Sequence, residues 1–208
     1  MYAIIEDGSI SRCINYPKAI TIGDVQYPAK IFSLWSKSEL NAIGIYEVTF
    51  DDSNKKDEKW YINTNQTFTY DASAGTVTAA YGTATARAHA DTLWTQQDSD
   101  NGDLPGDKEV GDIKVEGLKT VLIRTIKQQA AGELQRTDWY IVRKADAGTA
   151  VPSSITTHRA AVRTKAAEME TAITNAADTP ALETLYTYTK QEDGSITRPL
   201  GELPRLED

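Results

Sequence analysis

The side chains best spaced to bind a metal ion are the acidic residues of segment 98–109. Asp98, Asp100 and Glu109 occupy positions 1, 3 and 12 of a twelve-residue stretch, which are oxygen-ligand positions in calcium-binding hand loops. Position 5 is Gly102 and position 6 is Asp103, so the glycine on which such a loop turns stands one residue too early. We therefore interpret the segment as a solvated acidic loop and predict no metal site.

Three other side chains, Cys13, His89 and His158, belong to types that bind zinc or act in nucleophilic catalysis. A zinc site needs several convergent histidine or cysteine ligands, and the chain contains only these three. Cys13 lies inside a predicted strand without a catalytic motif, so we expect a small buried or half-buried residue, with a nucleophilic Cys–His pair as the alternative. No spacing of carboxylates singles out an acid and a base, and no glycine-rich phosphate loop follows a strand. The sequence predicts neither an enzyme nor a cofactor.

Composition and charge argue against two classes of binding partner, nucleic acids and anionic membranes. The 208 residues fit one or two small domains, and 22 basic against 30 acidic residues give a net charge of −8 at pH 7. Nucleic acids and anionic membrane surfaces are bound through clustered lysine and arginine, so we expect neither as a partner. No apolar stretch approaches the ~18 residues of a membrane span, and the first residues do not resemble a signal peptide. The expectation is a protein made in a cytoplasm.

Residues 1–96 are predicted to form a β-rich module of hairpins with a short helix. Asp7-Gly8 and Gly23-Asp24 each separate two short apolar runs, and glycine supplies the positive φ that a tight hairpin turn needs. Ser36 to Glu39 has the capping-box pattern of a helix start. From residue 46 to residue 80, alternating threonine, tyrosine and apolar residues predict further antiparallel strands.

Residues 83–117 differ in composition from the predicted strands before them. The alanine-rich residues 83–96 are expected to be helical. Residues 97–117 are acidic and contain several glycines and a proline, which predicts a linker, a loop or a loose hairpin between two modules.

Residues 118–208 are predicted to form a mainly helical module. A first helix of about 118–131 has its apolar face at Leu118, Val121, Leu122, Thr125 and Ile126. A longer helix follows Pro152, with Ser153 or Ser154 as its N-cap. Its inward positions are Ile155, Val162, Ala166, Met169, Ile173 and Ala176. The predicted class is α+β, with this helical hairpin followed by a terminal β-hairpin.

That terminal hairpin contains an internal repeat. Residues 192–196 repeat residues 6–10 letter for letter, as Glu-Asp-Gly-Ser-Ile. We interpret the two copies as independent Asp-Gly hairpins, with an internal duplication as the alternative.

Trp139, Trp35 and Trp60 are candidate partner-binding residues, because tryptophan is enriched in binding hot spots. Thr137 and Asp138 are expected to turn the chain through side-chain to backbone hydrogen bonds. Trp139 would then pack its ring on the helix pair and hold the first helix against Tyr140–Val142. The alternative is that Trp139 is an anchor for another protein.

Arg159 and Arg163 complete the candidate set. They lie four residues apart on the long helix, so they share one face. On that face they are placed to bind Asp138, Glu168 or the carboxylates of a partner. An exposed ion pair of this kind contributes only about 0–1 kcal/mol.

The order of residues in this region resembles the C-terminal region of bacteriophage tail-fibre assembly chaperones. The shared pattern is Leu134-x-x-Thr137-Asp138-Trp139, then Pro152, then Arg159-x-x-x-Arg163. This chain has His158 where the family has an aromatic residue and Val162 where it has leucine, and the resemblance covers about residues 120–176. Residues 31–46 are similar to the opening module of small proteins from phage tail gene clusters. The resemblance implies a phage tail context.

Two functions follow from this resemblance. In the first, the chain is a structural protein of the virion, associated with the tail, baseplate or fibre, present in repeated copies and in contact with other tail or fibre proteins. In the second, it is an assembly chaperone that binds fibre chains through an exposed apolar groove and leaves before the particle is complete. A third and weaker expectation is a carbohydrate-binding tip built on Trp60, Tyr61 and Tyr70.

Overall fold

The computed structural model describes residues 1–206 and divides the chain into two compact units, which meet in sequence at Thr85 and Ala86. Strands dominate the first, called here the β-rich unit, and helices dominate the second, called here the helical unit. A short β-hairpin follows the last helix. The α+β class predicted from the sequence is confirmed.

The strands and helices of the β-rich unit are short. In chain order they are β1 (Tyr2–Glu6), β2 (Ser9–Ile14), β3 (Ile20–Ile22), β4 (Val25–Tyr27), α1 (Ile31–Leu34), α2 (Lys37–Ala42), β5 (Ile45–Asp51), β6 (Tyr61–Ile62), β7 (Thr67–Asp71) and β8 (Thr76–Ala80). Five of the strands form one sheet in the order β2-β1-β5-β8-β7, in which β5 and β8 pair in parallel and the other neighbours are antiparallel. The edge strands β2 and β7 approach each other, so the sheet is strongly curled.

Local sequence signals in this unit give the expected local structures. Asp7 and Gly8 both have positive φ, 51° and 75°, which is the two-residue turn that joins β1 to β2. Ser36 and Glu39 form a complete capping box, in which the Glu39 carboxylate accepts from the Ser36 amide at 2.7 Å. The predicted hairpins and short helix are confirmed. The expectation of antiparallel strands from residue 46 to residue 80 is wrong for β5 and β8, which pair in parallel.

The curled sheet has an apolar cluster on each face. One contains Ile4, Ile14 and Ile45 and packs against α1 and α2, and the other contains Ala3, Val48 and Val77. Adjacent residues belong to opposite clusters because side chains alternate along a strand. Cys13, next to the inward-facing Ile14 on edge strand β2, is exposed, so the expectation of a buried or half-buried cysteine is wrong.

Strand β9 (Thr85–Ala86) spans the boundary between the two units in the sequence. The elements of the helical unit then follow in the order β10 (Thr92–Leu93), α3 (Gln96–Asp100), β11 (Ile113–Val115), α4 (Leu118–Gln135), α5 (Asp138–Ala147), α6 (Ser153–Asn175), α7 (Thr179–Tyr186), β12 (Thr189–Lys190) and β13 (Ile196–Thr197). Within residues 1–206, no helix has both the length and the apolar character needed to cross a membrane.

Helices α4 and α6 pack against each other and form the core of the helical unit. All six predicted inward residues are buried, five of them within α6 and the sixth, Ala176, at its C-cap, and α4 buries Leu122, Ile126 and Ala130. Val121 and Thr125 were predicted to lie on the apolar face of α4, but both are exposed, because the buried residues of α4 follow one another in steps of four from Leu122. The predicted N-cap of α6, Ser153 or Ser154, is also wrong, because Pro152 occupies that position.

Residues 83–96 are not the predicted helix. They run extended through β9 and β10, and their carbonyl groups bind the start of α4, where the amide of Leu118 donates to Ala88 O at 3.0 Å. The Asp91 carboxylate accepts from the Gly117 amide at 2.6 Å and from the Thr120 hydroxyl at 2.7 Å. These hydrogen bonds outweigh the helix propensity of alanine.

Candidate protein-binding site

The guanidinium group of Arg159 organises the junction between α4 and α5. Its Nη1 donates to the carbonyl oxygen of Leu134 at 2.7 Å, to the hydroxyl oxygen of Thr137 at 2.7 Å and to the carboxylate of Asp138 at 2.8 Å. Arg159 is 8% exposed and Thr137 is fully buried. The predicted pairing of Arg159 with Asp138 is present, and it is one of three contacts made by one nitrogen atom.

Each of these contacts satisfies a group at a helix end. The Leu134 carbonyl belongs to the last turn of α4, where carbonyl oxygens lack partners within the helix, and a cation is favourable there. Asp138 is the first residue of α5, where a carboxylate is favourable. Thr137 also donates its hydroxyl hydrogen to Leu134 O at 2.9 Å. The Leu-x-x-Thr-Asp pattern is therefore a helix-junction motif that Arg159 holds together.

Trp139, the last residue of that pattern, lies outside the junction. Its side chain is 51% exposed, so the expectation that its ring packs on the helix pair is wrong. Tyr140–Val142, the segment that it was expected to hold, belongs to the same helix α5 as Trp139 itself. The large ring is left at the surface because Thr137 and Asp138 make the contacts with α6.

The exposed Trp139 forms a cluster with the half-buried Tyr140 and Arg143. The Trp139 and Tyr140 ring centroids are 3.9 Å apart, and the Arg143 guanidinium carbon lies 4.6 Å from the centroid of the Trp139 ring and 5.4 Å from that of Tyr140. The Nε atom of Arg143 is buried and has no hydrogen-bond partner in the described part of the chain. We call these three residues the aromatic–arginine cluster.

Helix α5 also exposes two aliphatic side chains beside charged ones. Ile141 is 42% exposed and Val142 is 65% exposed, and none of the ten residues of α5 is buried. Tryptophan, tyrosine and arginine are the residue types most enriched in the hot spots of protein interfaces, where they are surrounded by contacts that exclude water. The arrangement is suited to binding another protein.

The other predicted partner-binding residues lie elsewhere. Arg163 is exposed one turn beyond Arg159, and its guanidinium reaches the Arg159 carbonyl oxygen only at 3.5 Å. Trp35 is half-buried beside the β-rich core, with its ring edge-on to Tyr27 at 5.9 Å. Trp60 is 3% exposed, so its ring is not available to a partner.

The carbohydrate platform expected at Trp60, Tyr61 and Tyr70 is not formed. Trp60 and Tyr61 are both buried, whereas a sugar-binding platform needs exposed ring faces. Tyr70 is half-buried and donates its hydroxyl hydrogen to the Tyr46 hydroxyl at 3.1 Å.

The acidic segment 98–109 starts within helix α3. Asp98 closes a capping box with Thr95 and pairs with Lys114, whose Nζ lies 2.5 Å from its carboxylate. Within residues 1–206, no group of three or more potential metal-ligating side chains comes together.

Replacing Lys114 is expected to raise the pKa of Asp98. The hydrogen bond from Lys114, followed by those from Thr95, lowers this pKa from 3.8 to about 2. The stabilisation is therefore present above about pH 4 and is lost as the pH falls towards 2. A carbon-13 NMR titration of the Asp98 carboxyl group in Lys114→Gln tests this, with Lys108→Gln of the same segment as the control. An unchanged Asp98 pKa in Lys114→Gln would contradict it.

Sequence reasoning missed Tyr140, Ile141 and Arg143 of this site. The available signal was the i, i+4 spacing of Trp139 and Arg143, which places an arginine over an aromatic ring on one helix face. In comparisons with protein-family models, with curated protein sequences and with solved structures, the chain gives no match.

Proposed function

We propose that this chain is a structural protein of a bacteriophage tail, associated with the tail, baseplate or fibre, and that it works through contacts with other tail or fibre proteins rather than by catalysis. It would be made in the cytoplasm of the host bacterium and retained in the virion in repeated copies. The aromatic–arginine cluster and the exposed Ile141 and Val142 of α5 would be a contact surface for the neighbouring protein.

The single observation that carries this proposal is that, within residues 134–143, some side chains bind Arg159 while Trp139 remains exposed. Leu134, Thr137 and Asp138 bind Arg159 within the chain, whereas Trp139 contacts Tyr140 and Arg143 of its own helix and is half-exposed. An exposed tryptophan on a helix held in place by a buried arginine is pre-organised for binding, since little side-chain and backbone freedom remains to be lost. The resemblance to phage tail proteins supplies the biological context.

The β-rich unit favours a retained structural protein over a minimal chaperone. It has its own apolar core on both faces of its sheet, which a protein that only shields fibre chains does not need. In an assembled particle this unit would offer a second surface for contacts.

The second candidate function is a tail-fibre assembly chaperone. The observation that favours it is the exposure of Trp139, Ile141 and Val142 in the free chain, because a chaperone must present apolar surface before its client arrives. The two candidates share the contact surface and differ in whether the chain stays in the particle.

Mass spectrometry of gradient-purified particles of the phage that encodes this chain separates the two. The tryptic peptide Thr137–Arg143 contains the whole aromatic–arginine cluster and is a suitable peptide for counting copies. We expect a fixed copy number per particle. Absence from particles, together with abundance in the infected-cell lysate, would overturn the structural proposal in favour of the chaperone.

Trp139→Ala is expected to weaken partner binding without unfolding the chain. Loss of a hot-spot tryptophan costs about 2 kcal/mol or more, which is roughly a 30-fold loss of affinity. The free energy of unfolding should change by less than about 1 kcal/mol, because the ring is exposed. The readout is the copy number of the variant in particles, or its recovery with tail-fibre proteins in a pull-down.

The matched control is Tyr16→Ala, which removes an exposed aromatic ring from the β-rich unit. It should leave incorporation and pull-down unchanged. Equal losses in the two variants would show that the aromatic–arginine cluster is not the contact surface.

A further inference from the structure

The β-rich unit contains a cavity of about 710 Å³ between strand β2 and the β3–β4 hairpin. Ile14 and Ile20, both of the apolar core, contribute to its wall, and Tyr27 contributes an aromatic ring. This volume lies within the range of about 300–1,000 Å³ that is typical of small-molecule sites. The cavity is far in sequence from α5 and belongs to a different unit.

The charge of the cavity is opposite to that of the chain. Its charged lining residues are Arg12 and Lys18, and no aspartate or glutamate lines it within residues 1–206. The chain as a whole carries a net charge of −8. Two cations without a neighbouring carboxylate, beside an apolar wall, are complementary to an anion that has an apolar body.

Part of this lining is held in place before any ligand binds. The Arg12 guanidinium donates a hydrogen bond to the carbonyl oxygen of Thr21, which joins β2 to β3 across the cavity. The Tyr27 ring packs edge-on against Trp35 with centroids 5.9 Å apart. Restricted side chains lower the entropy lost on binding.

We propose that this cavity binds a small organic anion. Its carboxylate or phosphate group lies against Arg12 and Lys18, and its apolar or aromatic body lies over Ile14, Ile20 and Tyr27. Both cations are exposed, so water and salt screen their charges and the affinity is in the millimolar range, weakening as salt is added. The proposal is independent of the proposed tail function.

Arg12 provides a direct readout, because its guanidinium is exposed and reaches the carbonyl oxygen of Thr21 across the cavity. The experiment measures the rate at which phenylglyoxal modifies Arg12 in the full chain, followed by mass spectrometry of the peptide that contains it. The probes are benzoate and phenyl phosphate, with benzyl alcohol as the uncharged compound of similar shape. The rate at which phenylglyoxal modifies N-acetylarginine in the same buffers corrects for effects on the reagent itself.

Either anion is expected to slow the modification of Arg12 about twofold near 10 mM, whereas benzyl alcohol leaves the rate unchanged. Added sodium chloride should reduce the protection. No protection by either anion, or equal protection by benzyl alcohol, would overturn the proposal.

Lys18→Gln tests the charge requirement without breaking the hydrogen bond between Arg12 and Thr21. It should weaken anion protection by roughly threefold, in line with one exposed ion pair. The matched control is Lys30→Gln, a lysine of the same unit that does not line the cavity. Equal protection in Lys18→Gln and in the unaltered chain would also overturn the proposal.

Discussion

Replacing Arg159 with leucine is expected to lower the free energy of unfolding of the helical unit by about 3 kcal/mol. The substitution removes three hydrogen bonds at once and takes from the buried Thr137 hydroxyl oxygen the donor that Arg159 supplies, while the Leu134 carbonyl oxygen keeps its hydrogen bond from Thr137. It also removes the cation opposite Asp138, which is a smaller loss because the Asp138 side chain is more than half exposed. Urea unfolding followed by far-ultraviolet circular dichroism measures the change.

Arg163→Leu is the matched control for this prediction. It removes the same kind of side chain from the same helix one turn later, but from an exposed position. Its effect should stay within about 0.5 kcal/mol. If the two variants unfold at the same urea concentration, Arg159 does not hold the α4–α5 junction.

Gly117→Ala is expected to destabilise the helical unit by at least about 3 kcal/mol. A Cβ atom at this position would lie 2.3 Å from both the carbonyl carbon and the carbonyl oxygen of Ala90, which are backbone atoms that cannot move aside alone. Relief of the clash would break the hydrogen bond from the Gly117 amide to Asp91, the contact that fixes the start of α4. Thermal and urea unfolding of the variant measure the loss.

Gly132→Ala is expected to raise the free energy of unfolding, whereas Gly117→Ala lowers it. Gly132 lies inside α4, and a Cβ atom there would have open space around it. Alanine in a helix interior is favoured over glycine by about 1 kcal/mol, so this variant should be more stable than the unaltered chain. Destabilisation by both substitutions would show that the close approach at Gly117 is not what distinguishes them.

Signals that act within a few residues predicted the local structures of this chain. The Asp7-Gly8 turn, the Ser36–Glu39 capping box and the buried positions of α6 all depend on neighbours in sequence. The parallel pairing of β5 with β8 was not predictable in this way, because it depends on how a long connection folds back. The extended path of residues 83–96 was also missed, because its hydrogen-bond partners lie in α4.

The repeated pentapeptide shows how far local sequence determines a turn. In the first copy Glu6 pairs with Ser9 across a two-residue turn, and in the second Lys190 pairs with Ile196 across a longer loop. There the Asp193 carboxylate accepts from the Ser195 amide at 2.9 Å. The same five letters thus form two different turns, because the flanking strands set the register. This difference favours the interpretation of two independent hairpins.

For the candidate site, the sequence indicated which residues to consider but not how their side chains are arranged. Trp139 and Arg159 were both singled out from the sequence as candidate partner-binding residues, and the expected pairing of Arg159 with Asp138 is present. The exposure of Trp139 was not predicted, because a large apolar ring beside a helical pair is more often packed than free. Its orientation depends on the three contacts of Arg159, which bring together residues more than 20 positions apart in the sequence.

The separation between the Arg159 junction and the aromatic–arginine cluster has a consequence for how this chain changes over generations. On the function proposed above, a substitution at the exposed Trp139 alters the contact surface at little cost in folding. Substitutions at Thr137 or Arg159 are constrained by the fold itself. On that proposal, descendants of this chain can acquire new partners by drift on one face of a short helix, while the architecture that presents that face is inherited intact.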